Sequence, residues 1–363
     1  MKCCINCFND TEIKLRITGL NRLGNCNICE SVNVFIYDTE IDFDLVDDFV
    51  ALLDTYRPES VLPTGFPSDQ LNFLRNELLE NWDIFNLSSD KIDILIKSIC
   101  RTKYTEEPEL FEQKVGIIEK CDKEYLLNYS ILGEFSWEDF AKAIKTENRF
   151  HSKHLNITLL FDYLDYLKKA YKKDTIFYRA RISDKNGFPN EKMGAPPKGV
   201  ASAGRVNPEG VSYLYLGNDR TTTLNEVRAG LHDFVTIATF KLSEDINVVD
   251  LTRIDKISAF SGLDFTQHAI NKPNLVKMNN DISKPLRRQD SHLDYLPTQY
   301  ISEYIKTIKF KDGTVCCGIE YKSTMNKGGY NLAIFDSSLF ECIDVEVYDV
   351  QELSYVVDPR IED

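Results

Sequence analysis

From about residue 42 to residue 171, apolar positions recur at helical spacing. Leu45, Phe49 and Leu52 share one face, then Leu71, Leu74 and Leu78, then Ile92, Leu95, Ile96 and Ile99. Ser89 or Asp90 is placed to cap the third of these helices, and Ser136 with Asp139 three residues on reads as a capping box for the next. A last helix, Asn156 to Tyr171, carries Leu160, Leu164, Leu167 and Tyr171 at the same spacing. Beyond it the period changes. Thr175 to Ile182 is rich in β-formers, and alternation puts Arg179 and Arg181 on one face with Phe177, while Tyr178, Ala180 and Ile182 take the other.

The later pattern alternates short strands with helices. Phe188 to Gly210 is dense in Gly, Pro, Ala and Ser and reads as a functional loop or a linker, with Gly204 and Gly210 bracketing Arg205. Tyr213 and Tyr215 share a face of a short strand ending at Gly217. Asp219 to Leu231 reads as a helix with Leu224, Val227 and Leu231 inward and Glu226 pointing away from them. Strands follow at 234–242 and 246–251, then a mixed-charge region, Arg253 to Pro297, suited to covering a cleft. A helix from Thr298 to Ile308 buries Ile301, Tyr304, Ile305 and Ile308. Cys316 to Ser323 and Tyr330 to Phe335 form a hairpin around Asn326-Lys327-Gly328-Gly329, with Ser323 at a strand end. An arginine, a glutamate and a serine thus stand at element edges, as one polar cleft would need.

Composition sharpens this. With 363 residues, 43% of them hydrophobic, the chain can bury a sizeable core and favours more than one domain. A net charge of -14 argues against nucleic acid as a partner, because phosphate-backbone binding needs basic surface. Neither a signal-peptide core nor a membrane-length apolar run is present, so a cytoplasmic protein is expected. There the ten cysteines would be reduced. Cys4-Ile5-Asn6-Cys7 and Cys26-Asn27-Ile28-Cys29 are two C-x2-C pairs, a spacing suited to four thiolates around one structural zinc ion, with Cys3 a spare beside Cys4. Cys100 and Cys121 are expected to be buried thiols. Arg149 and His154 stand at an R-x4-H spacing that resembles the ribonuclease motif of HEPN proteins; the alternative is an interhelical linker with exposed basic residues.

Taken in order, Tyr178-Arg179, Gly204-Arg205-Val206-Asn207 with Gly210, Tyr213-Leu214-Tyr215, Asn225-Glu226, Thr298-Gln299-Tyr300-Ile301, Tyr321-Lys322-Ser323 and Asn331 to Phe335 resemble the RES-domain family, named for an arginine, a glutamate and a serine. The resemblance spans roughly residues 174 to 350. It implies an α+β multidomain chain: a four-Cys zinc knuckle (1–35), an all-α, HEPN-like middle domain (36–172), and a C-terminal mixed α/β RES domain similar to ADP-ribosyltransferases (173–363).

The same resemblance implies breakdown of NAD+ at the nicotinamide–ribose bond, by water or with phosphate as co-substrate, in the manner of toxins restrained by an Xre-type antitoxin. The family arginine falls on Arg179, with Arg181 a rival in register, the glutamate on Glu226 and the serine on Ser323. Arg181, Arg205, Tyr215 and Asn331 are the expected NAD+ contacts. A homo-oligomer is expected, and no catalytic metal is needed. Two alternatives stand beside this reading. One keeps the fold and transfers ADP-ribose to a macromolecule; the other is a zinc-knuckle interaction module with an inactive RES-like half.

Overall fold

The computed structural model describes residues 1–284 and 292–353. They divide into two compact units: residues 1–137, 154–159 and 255–277, and residues 138–153, 160–254 and 278–363. Part of the expected cleft-covering region, residues 285–291, lies outside the described residues.

In the first unit, strands β1 (Lys2–Cys4), β2 (Leu23–Gly24) and β3 (Val34–Asp38) form a small antiparallel sheet in the order β1-β3-β2. The helix Thr11–Gly19 starts where Asp10 accepts hydrogen bonds from the backbone N–H of Glu12 and Ile13, which satisfies two of its free donors. Phe8, Phe49, Phe85 and Phe260 build the centre of this unit. Ring centroids lie 5.2 Å apart for Phe8–Phe85, 5.8 Å for Phe49–Phe85 and 5.2 Å for Phe49–Phe260. Each such pair adds about 1 kcal/mol beyond the area it buries.

The middle segment departs from the all-α expectation. β4 (Arg57–Pro58), β5 (Asn72–Phe73) and β6 (Lys114–Gly116) form a second small sheet, ordered β4-β6-β5. The helix read around Leu71 begins only at Leu74, because Asn72 and Phe73 pair with β6, and it passes into a π-helix over Glu77–Asn81. Helices Val46–Leu53 and Ser89–Ile99 bury the expected faces. Neither Ser89 nor Asp90 caps the latter, since it already lies inside the helix; the Ser89 hydroxyl instead donates to Asn76 Oδ1. Cys100 is buried but Cys121 is exposed, in a turn at Ile118–Cys121.

The second unit is organised by one eight-stranded sheet. Its strands are β7 (Lys168–Tyr171), β8 (Ile176–Ser183), β9 (Leu214–Gly217), β10 (Phe234–Leu242), β11 (Ile246–Asp250), β12 (Cys316–Lys322), β13 (Tyr330–Ile334) and β14 (Phe340–Asp349), in the order β14-β10-β8-β9-β13-β12-β11-β7. Every pairing is antiparallel except β11 with β12, whose connection is long enough for a crossover. Phe177, Leu214, Leu216, Phe240, Leu332 and Ile334 are buried on it.

The helix expected over 156–171 stops at Tyr166, and Lys168–Tyr171 instead pairs with β11 as an edge strand. The helix expected over 219–231 is shorter, Arg220–Glu226, because Arg228 takes a left-handed φ of 50°. Its buried residues are Thr222 and Thr223; Leu224 and Val227 pack at the edge of an Ala180, Val235 and Ile237 cluster, while Leu231 is exposed. No helix among the described residues is long and apolar enough to cross a membrane.

Candidate functional site

Glu226 ends the helix that Asp219 begins: Asp219 Oδ1 accepts from the Thr222 N–H at 2.7 Å. At the far end, the Glu226 Oε1 atom accepts the Ser323 hydroxyl at 2.6 Å and the Asn331 amide at 2.7 Å. Ser323 sits one residue beyond β12, where its Oγ also accepts the backbone N–H groups of Met325 and Asn326, each at 3.2 Å. Its one hydrogen is therefore committed to the carboxylate, and its lone pairs are held by the turn. A second tie joins the same two segments: Asn326 donates to Thr222 Oγ1 at 2.8 Å.

Arg179 and Tyr215 enter from neighbouring strands. Arg179, on β8, donates from Nη1 to the Tyr215 carbonyl at 3.1 Å, while its Nε is buried without a hydrogen-bond partner. Burial, together with the like charge of Arg181, lowers this guanidinium to about 10, which leaves it a cation at neutral pH. The Tyr215 hydroxyl donates to Asn207 Oδ1, and burial holds it well above the usual phenol range. Both residues line a cavity of about 560 Å3 together with Arg205, Glu226, Tyr321 and Asn331. That is the size of a small-ligand site (~300–1,000 Å3).

The loop bearing Arg205 is fastened rather than free. Asn207 Nδ2 donates to the carbonyls of Ser202, Pro208 and Val211. From the helix Leu296–Lys306, Gln299 donates to the Gly204 and Asn207 carbonyls at 2.7 and 3.0 Å, and Thr298 to the Arg205 carbonyl at 2.7 Å. Gly204 is the point of closest approach, where a Cβ would overlap Asn207 Oδ1 and reach the Tyr215 hydroxyl at 3.0 Å. Arg205 Nη1 itself donates to the Ile282 carbonyl at 2.8 Å.

Of the residues singled out in the sequence, Arg179, Arg205, Tyr215, Glu226 and Asn331 share this cavity, and Ser323 bonds one of them. Arg181 does not join them. It donates to the Lys192 carbonyl and its guanidinium lies 4.4 Å from the Phe188 ring centroid, which turns it out of the cavity. Tyr321, Gln299 and Thr298 carry no role in the sequence reading. All three stand within motifs that carry the resemblance; Tyr321 is marked further by its register opposite Asn331, and the other two by polar positions on the buried side of their helix.

The cysteine pairs converge in the first unit. Sγ atoms lie 3.9 Å apart for Cys4–Cys7, 3.4 Å for Cys4–Cys29 and 3.5 Å for Cys7–Cys26, and all four lie within 4.8 Å of one another. A tetrahedral zinc–thiolate site with Zn–S near 2.3 Å needs sulfurs about 3.8 Å apart, so the donor set and spacing fit zinc. Cys3 is buried outside this set, one position earlier on β1, and does not replace Cys4.

Arg149 and His154 lie in an irregular stretch between the helices Trp137–Thr146 and Ile157–Tyr166. The Arg149 side chain is exposed, and the His154 ring centroid lies 4.1 Å from that of Phe135.

No curated protein sequence and no solved structure matches the chain. A profile of the RES domain matches residues 176–358, half of the chain, and covers β8 to β14 with every residue of the cavity described above. The chain belongs to the RES-domain family.

Proposed function

We propose that the second unit cleaves the bond between nicotinamide and ribose in NAD+. The observation that carries this reading is the pairing of a doubly hydrogen-bonded carboxylate, Glu226, with a buried guanidinium, Arg179, on one cavity of a RES domain. The leaving nicotinamide departs from a pyridinium, so no strong acid is needed. What the site must supply is negative charge beside the oxocarbenium-like ribose, a hold on the diphosphate, and room for an acceptor.

Each residue has a place in that chemistry. Ser323 and Asn331 both donate to Oε1 of Glu226 and keep it oriented, while Oε2 is left to face the ribose. Arg179 lines the cavity with a guanidinium suited to a phosphoryl oxygen, and Arg205 flanks the same space. Ser323 acts by positioning, because its hydrogen already rests on a carboxylate and its oxygen is engaged by two backbone N–H groups. As the C1′–N bond breaks, nicotinamide leaves neutral and the oxygen of water or phosphate bonds to C1′. The acceptor gives up its proton, with Glu226 the nearest assigned base.

The test is to incubate the purified chain with NAD+, with and without inorganic phosphate, and to identify products by mass. Free nicotinamide with ADP-ribose or its 1-phosphate supports the reading; label carried onto a macromolecule favours transfer instead. NAD+ left intact under every condition overturns it. A toxin role and restraint by an Xre-type partner belong to the same reading and are tested by growth arrest on expression.

A further inference from the structure

The first unit holds a second cavity, of about 500 Å3, walled in part by Tyr56, Leu79, Trp82 and Val276. It is again the size of a small organic ligand (~300–1,000 Å3). One side is the π-helix Glu77–Asn81, a wider turn of a kind frequent at functional sites.

Of the ionisable groups on its wall, Glu80, Asp83, Lys120, Asp255 and Lys277 are exposed or half-buried, while two of opposite sign are more than nine-tenths buried: Glu77 is 7% exposed and Lys272 is 8% exposed. Each has only neutral hydrogen-bond partners. Glu77 Oε2 accepts from the Tyr56 hydroxyl at 3.1 Å and the Asn81 amide at 2.8 Å, and Glu77 Oε1 accepts no hydrogen bond among the described residues. Lys272 Nζ donates to the Trp82 carbonyl at 2.7 Å, which uses one of its three hydrogens. Among the described residues the two make no ion pair with each other or with a third group. Burial lowers the Lys272 ammonium below the usual lysine range, opposed by the charges of Asp83, Asp10 and Asp255. Asp83 and Asp255 stand on the same wall and act on Lys272 without a direct ion pair, and keeping two such groups from water costs several kcal/mol each unless a counter-charge meets them directly. A simple anion would serve Lys272 and leave Glu77 uncompensated; a simple cation would do the reverse.

We propose that this cavity binds a small zwitterion of the α-amino acid type, with its ammonium group against Glu77, its carboxylate against Lys272 and its side chain against Trp82 and Tyr56. Such a ligand makes the first unit a sensor for a metabolite, independent of the reaction assigned to the RES domain.

The chain has two tryptophans, Trp82 and Trp137, so Trp137→Phe leaves Trp82 as the sole reporter in the cavity wall. The full chain carrying that change is titrated with each free L-amino acid, then with its N-acetyl and carboxamide forms, and fluorescence is followed. The expected result is a saturable response to at least one free amino acid, weakened about tenfold or more by either cap, by Glu77→Gln and by Lys272→Met. Thermal shifts of the unsubstituted chain with the same ligands give a readout that does not depend on the variants folding. No saturable response and no shift with any amino acid overturns the proposal. A capped form that binds as well as its parent overturns it too, and reassigns the cavity to a singly charged ligand.

Discussion

Ser323 and Glu226 are 97 positions apart in the chain and joined by a 2.6 Å hydrogen bond in which the serine is the donor. Such a bond to a charged acceptor is worth about 1.5–3 kcal/mol. It fixes the serine as a support for the carboxylate, and it orders what substitutions should do.

Glu226→Gln should abolish NAD+ loss while thermal unfolding stays within about 1 kcal/mol of the parent, because the amide oxygen still accepts both donors and only the charge is removed. Product analysis alongside a melting curve checks both halves. A purified variant that consumes NAD+ at the parental rate would sink the assignment.

Ser323→Ala should lower kcat about 10²-fold, since Glu226 keeps its charge and loses half of its orientation. Ser323→Thr keeps the donor and should recover most of that loss. Equal loss in both variants would mean that the hydroxyl does something other than hold Glu226.

Arg179 and Arg181 give a direct contrast. Arg179→Met should raise KM for NAD+ about tenfold or more, whereas Arg181→Met, which gives up only the Phe188 stack and one carbonyl, should change it less than about threefold. Steady-state kinetics decides, and the reverse order would return the family arginine to position 181.

Gly204→Ala should cut activity and lower stability by about 1–3 kcal/mol, because the added methyl pushes on the buried, hydrogen-bonded Asn207 and, through it, the Tyr215 hydroxyl. Gln299→Ala releases the same loop from the other side and should act in the same direction. A normal rate in both would mean that the loop's placement is irrelevant to turnover.

Metal analysis should find about one zinc per chain, and a strong chelator should lower the melting temperature of the first unit, whose core includes three of the four thiols. Well below one zinc per chain would count against the site.

The residues legible in the sequence are those whose signal is local. Two C-x2-C pairs announce a metal site by spacing alone, and the alternation in β8 puts Arg179 and Arg181 forward together. What separates the two arginines is non-local: a carbonyl from residue 192 and a ring from residue 188 draw one of them away. Asn207 stands in a motif of the resemblance, but its task shows only once three carbonyls and a tyrosine hydroxyl close around it. The misplaced elements have similar causes. Lys168–Tyr171 continues a helical apolar period yet pairs with β11, and strands of two residues, such as β4 and β5, are too short for any period to show. The helix Phe265–Ser283, with Pro273 inside it, carries too mixed a face to be picked out of its charged surroundings.

The ties on Glu226 also set an order in time. A chain synthesised through β11 already contains Arg179, Arg205, Tyr215 and Glu226, but the two donors that orient the carboxylate follow 97 and 105 positions after it. Until the β12–β13 hairpin is made and docked, the acid has no fixed direction. On the proposed reading, a chain that stops before the hairpin should leave NAD+ intact, and product analysis of such a truncated chain checks it.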